Sequence, residues 1–196
     1  MKRLAATRKT TSRFVPSAAG AGTHASPEPD LDRAEKILLE MLAIPGKSCH
    51  EGQVAEYISK QLRRAGVPAR AIESDSAHRR SPYGGERGNL IVRLPGTIPG
   101  RPRMFSAHLD TVFAAETDLT TRRDGSAIYG PGIGDNSTGV AGLLVVARAL
   151  AEHGLHHAAD IYFVANVGEE GLGDLGGMRA VVEHFGRGAT YVVVEG

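Results

Sequence analysis

Apolar positions recur every three or four residues over 31–42, where Ile37, Leu38, Met41 and Leu42 form one stripe. That spacing predicts a helix, with Asp30 or Asp32 as its cap and Pro45-Gly46 as its stop. Ser48 and Glu51 read as a capping box for a second helix. Val54, Ile58 and Leu62 repeat along it at four-residue spacing, and Gly66 ends it. Residues 69–72 read as a short strand and residues 78–87 as a polar loop holding Pro82, Gly84 and Gly85. Residues 89–94 and 103–107 read as strands, and the Pro/Gly turn between them would allow a hairpin. A second hairpin is predicted over 120–129, turning at Asp124-Gly125. After the glycine-rich run 130–139, a helix to about His153 carries Val140, Leu143, Leu144, Ala147, Leu150 and Ala151. It is apolar nearly all round, which predicts burial. A strongly apolar strand over 161–167, a helix over 176–185 and a last strand over 191–194 complete the pattern, with no internal repeat.

Strand, helix, strand, helix, strand over 103–194 predicts an α/β fold: a mostly parallel mixed sheet flanked by helices. In such sheets function collects beyond the carboxyl ends of the strands. His108 follows one strand, Glu169 and Glu170 the next, and Glu195 the last. Asp135 stands at the start of the central helix. All five groups are therefore expected on one sheet edge.

Composition narrows the partners. The net charge is +1, but five of the 23 basic residues (Lys2, Arg3, Arg8, Lys9 and Arg13) precede the first acid, Glu28. Residues 14–196 thus carry 18 basic against 22 acidic groups, a net of −4. Acid clusters on such a balanced domain suit a cation, not nucleic acid. No apolar run approaches membrane-span length, so no membrane partner is expected. Residues 1–28 are rich in Ala, Ser, Thr, Arg, Gly and Pro without periodicity, and read as a disordered extension. They lack the apolar core of a secretory signal, and only faintly resemble an organelle transit peptide. The single cysteine, Cys49, excludes an intrachain disulfide and fits a reducing, cytoplasmic setting. Its neighbour His50 does not make it a nucleophile, because adjacent positions do not orient a catalytic pair.

The chemistry starts at Ser106-Ala-His-Leu-Asp-Thr-Val112. Side chains two apart in extended chain point the same way. The Asp110 carboxylate is therefore expected to take the free ring N–H of a metal-bound His108. One histidine with three carboxylates on one rim is a donor set for zinc, cobalt or manganese. Each residue alone has a plainer reading: a loop histidine, a helix cap at Asp135, a solvated Glu-Glu turn, a glutamate near a terminus. All of these holding at once, with every group on one edge, is the weaker explanation. A phosphate loop over 130–134 is disfavoured by Asp135 at the helix start and by the lack of a following lysine.

Four stretches in order are similar to the two-zinc exopeptidases and amidohydrolases, a family that includes peptidase T, carboxypeptidase G, acetylornithine deacetylase, succinyl-diaminopimelate desuccinylase and aminoacylase. They are residues 106–112, 132–141 (Gly-Ile-Gly-Asp-Asn-Ser-Thr-Gly-Val-Ala), 167–171 (Val-Gly-Glu-Glu-Gly) and 192–195. The resemblance covers about residues 31–196. It implies that His108 and Glu195 hold one metal, Glu170 holds the other and Asp135 bridges them. Asp110 would orient His108. Glu169 would be the general base, taking a proton from a metal-acidified water and returning it to the leaving amine. It also implies hydrolysis of amide bonds in small peptides or N-acyl amino acids, with two Zn2+ (Co2+ or Mn2+ also suit), and a homodimer. The runs Gly-Asp-Asn-Ser-Thr-Gly and Gly-Glu-Glu-Gly-Leu-Gly look closest to the peptidase T-like branch, hence a tripeptidase-like aminopeptidase. Members of the family supply one more histidine, and a dimerisation domain, from beyond the position matching Glu195. His153, His156, His157 and His184 lie on or after helices and are not expected to replace that ligand. Residues 29–196 are accordingly expected to be the first part of the catalytic domain, with little activity alone. A metal-binding or interaction module without catalysis stays open as the alternative.

Overall fold

The computed structural model describes residue 28, residues 30–154 and residues 157–195. The expected N-terminal extension and His156 therefore lie outside the described residues, Glu28 excepted.

The chain opens with α1 (Leu31–Leu42), whose N-cap is Asp30: its carboxylate accepts the Arg33 N–H at 2.9 Å. Helix α2 (Gly52–Arg64) buries Val54, Ile58 and Leu62 on one face, as the four-residue spacing predicts. It ends before Gly66, which takes a left-handed φ of +90°. The capping box is corrected. Ser48 bonds the Asp110 carboxylate instead, and Glu51 makes no side-chain cap. The first helical N–H, that of Gly52, goes to Glu86 Oε2 at 3.0 Å.

Residues 69–71 form a 3-10 turn where a strand was expected, and β1 follows at Ile72–Ser74. Next come β2 (Leu90–Leu94), β3 (Arg103–His108) and the small hairpin of β4 (Arg122–Asp124) with β5 (Ala127–Tyr129). Gly125, in that turn, has φ +57°. Helix α3 (Thr138–Glu152), β6 (Ile161–Asn166), α4 (Gly176–Phe185) and β7 (Thr190–Val193) complete the order.

The main sheet runs β1-β2-β6-β3-β7. Strands β6 and β7 lie parallel to β3 on either side of it, while β2 is antiparallel to β6 and β1 antiparallel to β2. The sheet is therefore mixed, with parallel and antiparallel pairs equal in number. The expected β2–β3 hairpin does not form, because β6 inserts between the two strands. The connection after β2 spends its polar groups on the approach to β6: Thr97 N–H bonds His157 O and Ile98 N–H bonds Ala158 O, each at 3.0 Å. Both β2 and β3 thereby gain β6 as a neighbour whose run is buried on both faces.

Two crossovers explain the layers. From β3 the chain passes through α3 to β6 on one side; from β6 it passes through α4 to β7 on the other. Connections of one hand moving in opposite directions place their helices on opposite faces. Accordingly α1, α2 and α3 pack with Leu90, Val92, Phe105, Ala107 and Phe163. Helix α4 packs through Met178, Val181 and Phe185 against Ile91, Met104, Tyr162 and Val164. Alternate strand residues serve alternate faces. Helix α3 is buried along Val140, Leu143, Leu144 and Ala147, but Val146 is half exposed, so its burial is not all round. The arrangement leaves the carboxyl ends of β3, β6 and β7 side by side. Among the described residues no helix is long and apolar enough to cross a membrane.

Candidate metal centre

His108 is the last residue of β3 and is only 2% exposed. Its Nδ1–H donates to the Asp110 carbonyl at 2.9 Å, which directs Nε2 toward the rim. There Nε2 lies 2.8 Å from Asp135 Oδ1 and 3.6 Å from Glu195 Oε2. Burial lowers the ring's pKa, but the nearby Asp110 carboxylate, then the charge of Glu195 and the hydrogen bond of Asp135, outweigh it. The pKa is pushed up to about 9. The carboxylates thus stabilise positive charge at this ring, and a cation on Nε2 would replace the proton there.

The expected contact between the ring and the Asp110 carboxylate is corrected. The carboxylate oxygen stands 3.6 Å from Nδ1, and the carbonyl takes the ring proton instead. The backbone bends just past β3, with Leu109 N–H on Asn166 O and Thr111 N–H on Gly46 O, each at 2.8 Å. The fully buried carboxylate is turned toward the β6 loop. It accepts Ser48 Oγ–H at 2.6 Å, Glu169 N–H at 3.0 Å and Glu170 N–H at 3.0 Å. Burial alone would raise its pKa, but the nearby His108 ring and the hydrogen bonds from Ser48, Glu169 and Glu170 hold it below the usual carboxylate value.

Asp135 belongs to an irregular turn ahead of α3, with non-helical backbone at Asp135 and Asn136. Its side chain is 67% exposed. Glu169 and Glu170 follow β6. Glu170's pKa is raised by burial first, then by the charges of Asp135 and Glu169, against a smaller opposing effect of His108. Glu195, after β7, is likewise raised by burial and by Glu169 and Asp135, with His108 opposing. Neighbouring acids that raise the pKa of Glu170 and of Glu195 form a site of concentrated negative charge that a cation would relieve.

His108, Asp135 and Glu170 each offer one ligand atom, and these atoms lie within 4.8 Å of one another. One imidazole nitrogen with carboxylate oxygens suits a divalent transition metal. The residues present thus fit a cation. Glu170 joins His108 and Asp135 in this group, while Glu195 Oε2, which the resemblance pairs with His108, lies 3.6 Å from His108 Nε2 and 2.6 Å from Asn136 Nδ2.

Asn136 escaped the sequence reading. It is 1% exposed, and its Nδ2 donates to the Val194 carbonyl at 2.7 Å as well as to Glu195. Gly139 makes room for it, since a Cβ there would lie 2.1 Å from Asn136 Oδ1. The available signal was its place directly after Asp135, inside a run already singled out. Three histidines lie away from the centre, as expected. His153 closes the end of α3, His157 Nδ1 bonds Ala159 O at 2.8 Å, and His184 packs edge-on against Phe185.

Residues 104–195 match the sequence model described as peptidase family M20/M25/M40. Among solved structures, the chain is similar to the aminopeptidase PepT of Bacillus cereus ATCC 10987, with a TM-score of 0.70 and 23% identity. It is similar to a tripeptidase of Staphylococcus aureus subsp. aureus Mu50, with a TM-score of 0.68 and 23% identity. Each alignment covers 86% of this chain and 44% of the other, so the chain spans under half the length of these two proteins. A glutaminyl cyclase of an Acidobacteriales bacterium aligns over 90% of this chain and 62% of its own, with a TM-score of 0.66 and 16% identity. At these identities the likeness speaks for the fold, which hosts more than one chemistry. The matched segment 104–195 holds His108, Asp110, Asp135, Glu169, Glu170 and Glu195, and its match to the peptidase family M20/M25/M40 agrees with the resemblance its motifs carry.

Proposed function

We propose that the protein is a metal-dependent hydrolase of amide bonds in small peptides, with a tripeptidase-like aminopeptidase as the narrower reading. The observation that carries it is the convergence of His108, Asp135 and Glu170 within 4.8 Å at the carboxyl end of a sheet whose sequence matches a peptidase family. His108 Nε2, Asp135, Glu170 and Glu195 would hold two divalent ions, zinc by preference. When bound, such a pair supplies Lewis acidity, lowering the pKa of a water and polarising an amide carbonyl.

The rest falls to the chain. Asp110 fixes the backbone of Glu169 and Glu170, and its carbonyl holds the His108 tautomer that leaves Nε2 free for a ligand. Asn136 holds the Glu195 carboxylate at the rim. Glu169 is the residue of the acidic pair proposed as general base: its carboxylate takes a proton from water and hands it to the departing amine. The PepT and tripeptidase likenesses support peptide substrates, and N-acyl amino acids are the next class to assay. The cyclase likeness favours no second reading, because the family match and the Glu169-Glu170 pair both point to hydrolysis.

The test is Glu169→Gln in the whole protein. It should keep the metal content of the wild type and lose hydrolysis of a tripeptide by about 100-fold or more, the scale of a general base. Turnover retained at the wild-type rate would remove Glu169 from that role.

A further inference from the structure

We propose that Glu51 and Ser48 are positioning residues of the metal centre: together with Asp110 they clamp three successive backbone N–H groups, of Gly168, Glu169 and Glu170, and so aim the two glutamate side chains. The inference rests on the metal-centre reading and extends it to a segment outside 104–195.

Glu51 is a carboxylate with 1% exposure, on no catalytic strand. Its Oε1 accepts two backbone N–H groups, from Cys49 and Gly168, each at 3.0 Å. Its Oε2 is buried without a partner. The neighbouring grips are made by Asp110, with Oδ1 on Glu169 N–H and Oδ2 on Glu170 N–H, both at 3.0 Å. Two buried carboxylates thus take three consecutive amides. Gly168 permits the turn that turns these amides inward, with φ +60°. Consecutive N–H groups turned to one side form a concavity that binds anions. Here the chain fills that concavity with its own acids. Ser48 ties the pieces together: its Oγ–H bonds Asp110 Oδ2 at 2.6 Å and lies 3.3 Å from the Glu170 carbonyl.

A plainer role for the Glu51 side chain, as a cap of α2, fails. Its side chain bonds none of the first α2 amides, and Gly52 N–H is taken by Glu86. The segment is instead fastened alongside the end of β3. Lys47 bridges Thr111 in parallel, and Ser48 N–H bonds Thr111 O at 3.3 Å. Burying an acid is costly unless its hydrogen bonds repay it. Those of Glu51 go to its own turn and to the first residue of the glutamate loop. Removing the carboxylate frees the Gly168 amide, and the loop that carries Glu169 and Glu170 loses one of its three anchors. No Glu51 atom bonds His108 or Asp135.

The test compares wild type, Glu51→Ala, Glu51→Gln and Ser48→Ala in the full 196-residue chain. Amide hydrogen exchange over 168–170 and Co2+ titration are the two readouts, with melting as the control. Glu51→Ala should speed exchange of the Gly168 amide by about tenfold or more, beyond any change in the rest of the sheet. It should weaken Co2+ binding by about 10-fold to 100-fold, the scale for residues that orient ligands. Glu51→Gln keeps an acceptor oxygen and should restore most of both. Ser48→Ala, a smaller change that preserves the fold, should speed exchange at Glu170. Wild-type exchange at Gly168 in Glu51→Ala, or at Glu170 in Ser48→Ala, overturns the clamp. If the wild type takes up no Co2+, the metal reading falls, while the exchange comparison still decides the clamp.

Discussion

The floor and the rim of the centre are built by different means. The floor is His108 and Asp110, with side chains 1% and 0% exposed: the His108 ring is held by the Asp110 carbonyl, and the Asp110 carboxylate by Ser48, Glu169 and Glu170. The rim is Asp135 and Glu195, with side chains 67% and 51% exposed. The floor is fixed by folding, because its groups complete the hydrogen bonding of the sheet's end. The rim carboxylates repel one another, and each is drawn in by His108. A cation is what would bind them together. On the proposed reading, the protein sets up one side of its centre in advance and leaves the other to the ion.

The largest expected effect strikes the floor. Asp110→Ala removes a buried acceptor from Ser48, Glu169 and Glu170 at once. It also leaves the charged His108 without its nearest buried counter-charge. Stability should fall by about 3–5 kcal/mol, the cost of breaking a buried charge pair, and urea unfolding measures it. A loss below 1 kcal/mol would deny the distinction between floor and rim.

The next effect belongs to the rim. Asp135→Ala should weaken Zn2+ binding by about 10-fold to 100-fold or more, read by calorimetric titration. Melting without metal should stay near wild type, since an exposed acid among like charges contributes little. A large melting shift would mean that the rim, too, is part of the fold.

A smaller effect sharpens the position of Glu51 as floor. Burial raises its carboxyl pKa, against the lowering effect of the Cys49 and Gly168 amides. A raised acid keeps its proton in the fold when the unfolded chain has already lost its own. Its stabilisation is present below the ordinary carboxyl value and is lost as pH rises through the raised one. Glu51→Gln has no such titration. The stability of wild type relative to Glu51→Gln should therefore decline as pH climbs above about 4.3. Parallel stability curves across that range would contradict it.

Much of this was legible in the sequence, and the exceptions share a cause. Helices α1 and α2 fall where periodicity placed them, because an amphipathic stripe is local information. The acids and histidine reach one sheet edge because parallel crossovers put strand ends together, a rule that needs only element order. The β2–β3 hairpin failed because its length and turn residues could not reveal β6 between the strands. Ser48-x-x-Glu51 looked like a cap because the pattern is the same; only the path of residues 46–51 past Thr111 shows where those side chains go. Spacing alone put the Asp110 carboxylate on the His108 ring, and the bend after His108 brought the carbonyl there instead. Asn136 could be read as a turn residue until β7 brought Glu195 beside it.

The most direct measurement is Zn2+ titration of the chain against His108→Ala, with the same buffer and a matched melting control. The account predicts that wild type binds and releases protons as it does so, because a proton on His108 gives way to the ion. It predicts that His108→Ala loses affinity by about 100-fold or more and releases fewer protons. Equal affinity and equal proton release in the two proteins would contradict it, because the ion would then be held without the histidine on which the centre is built.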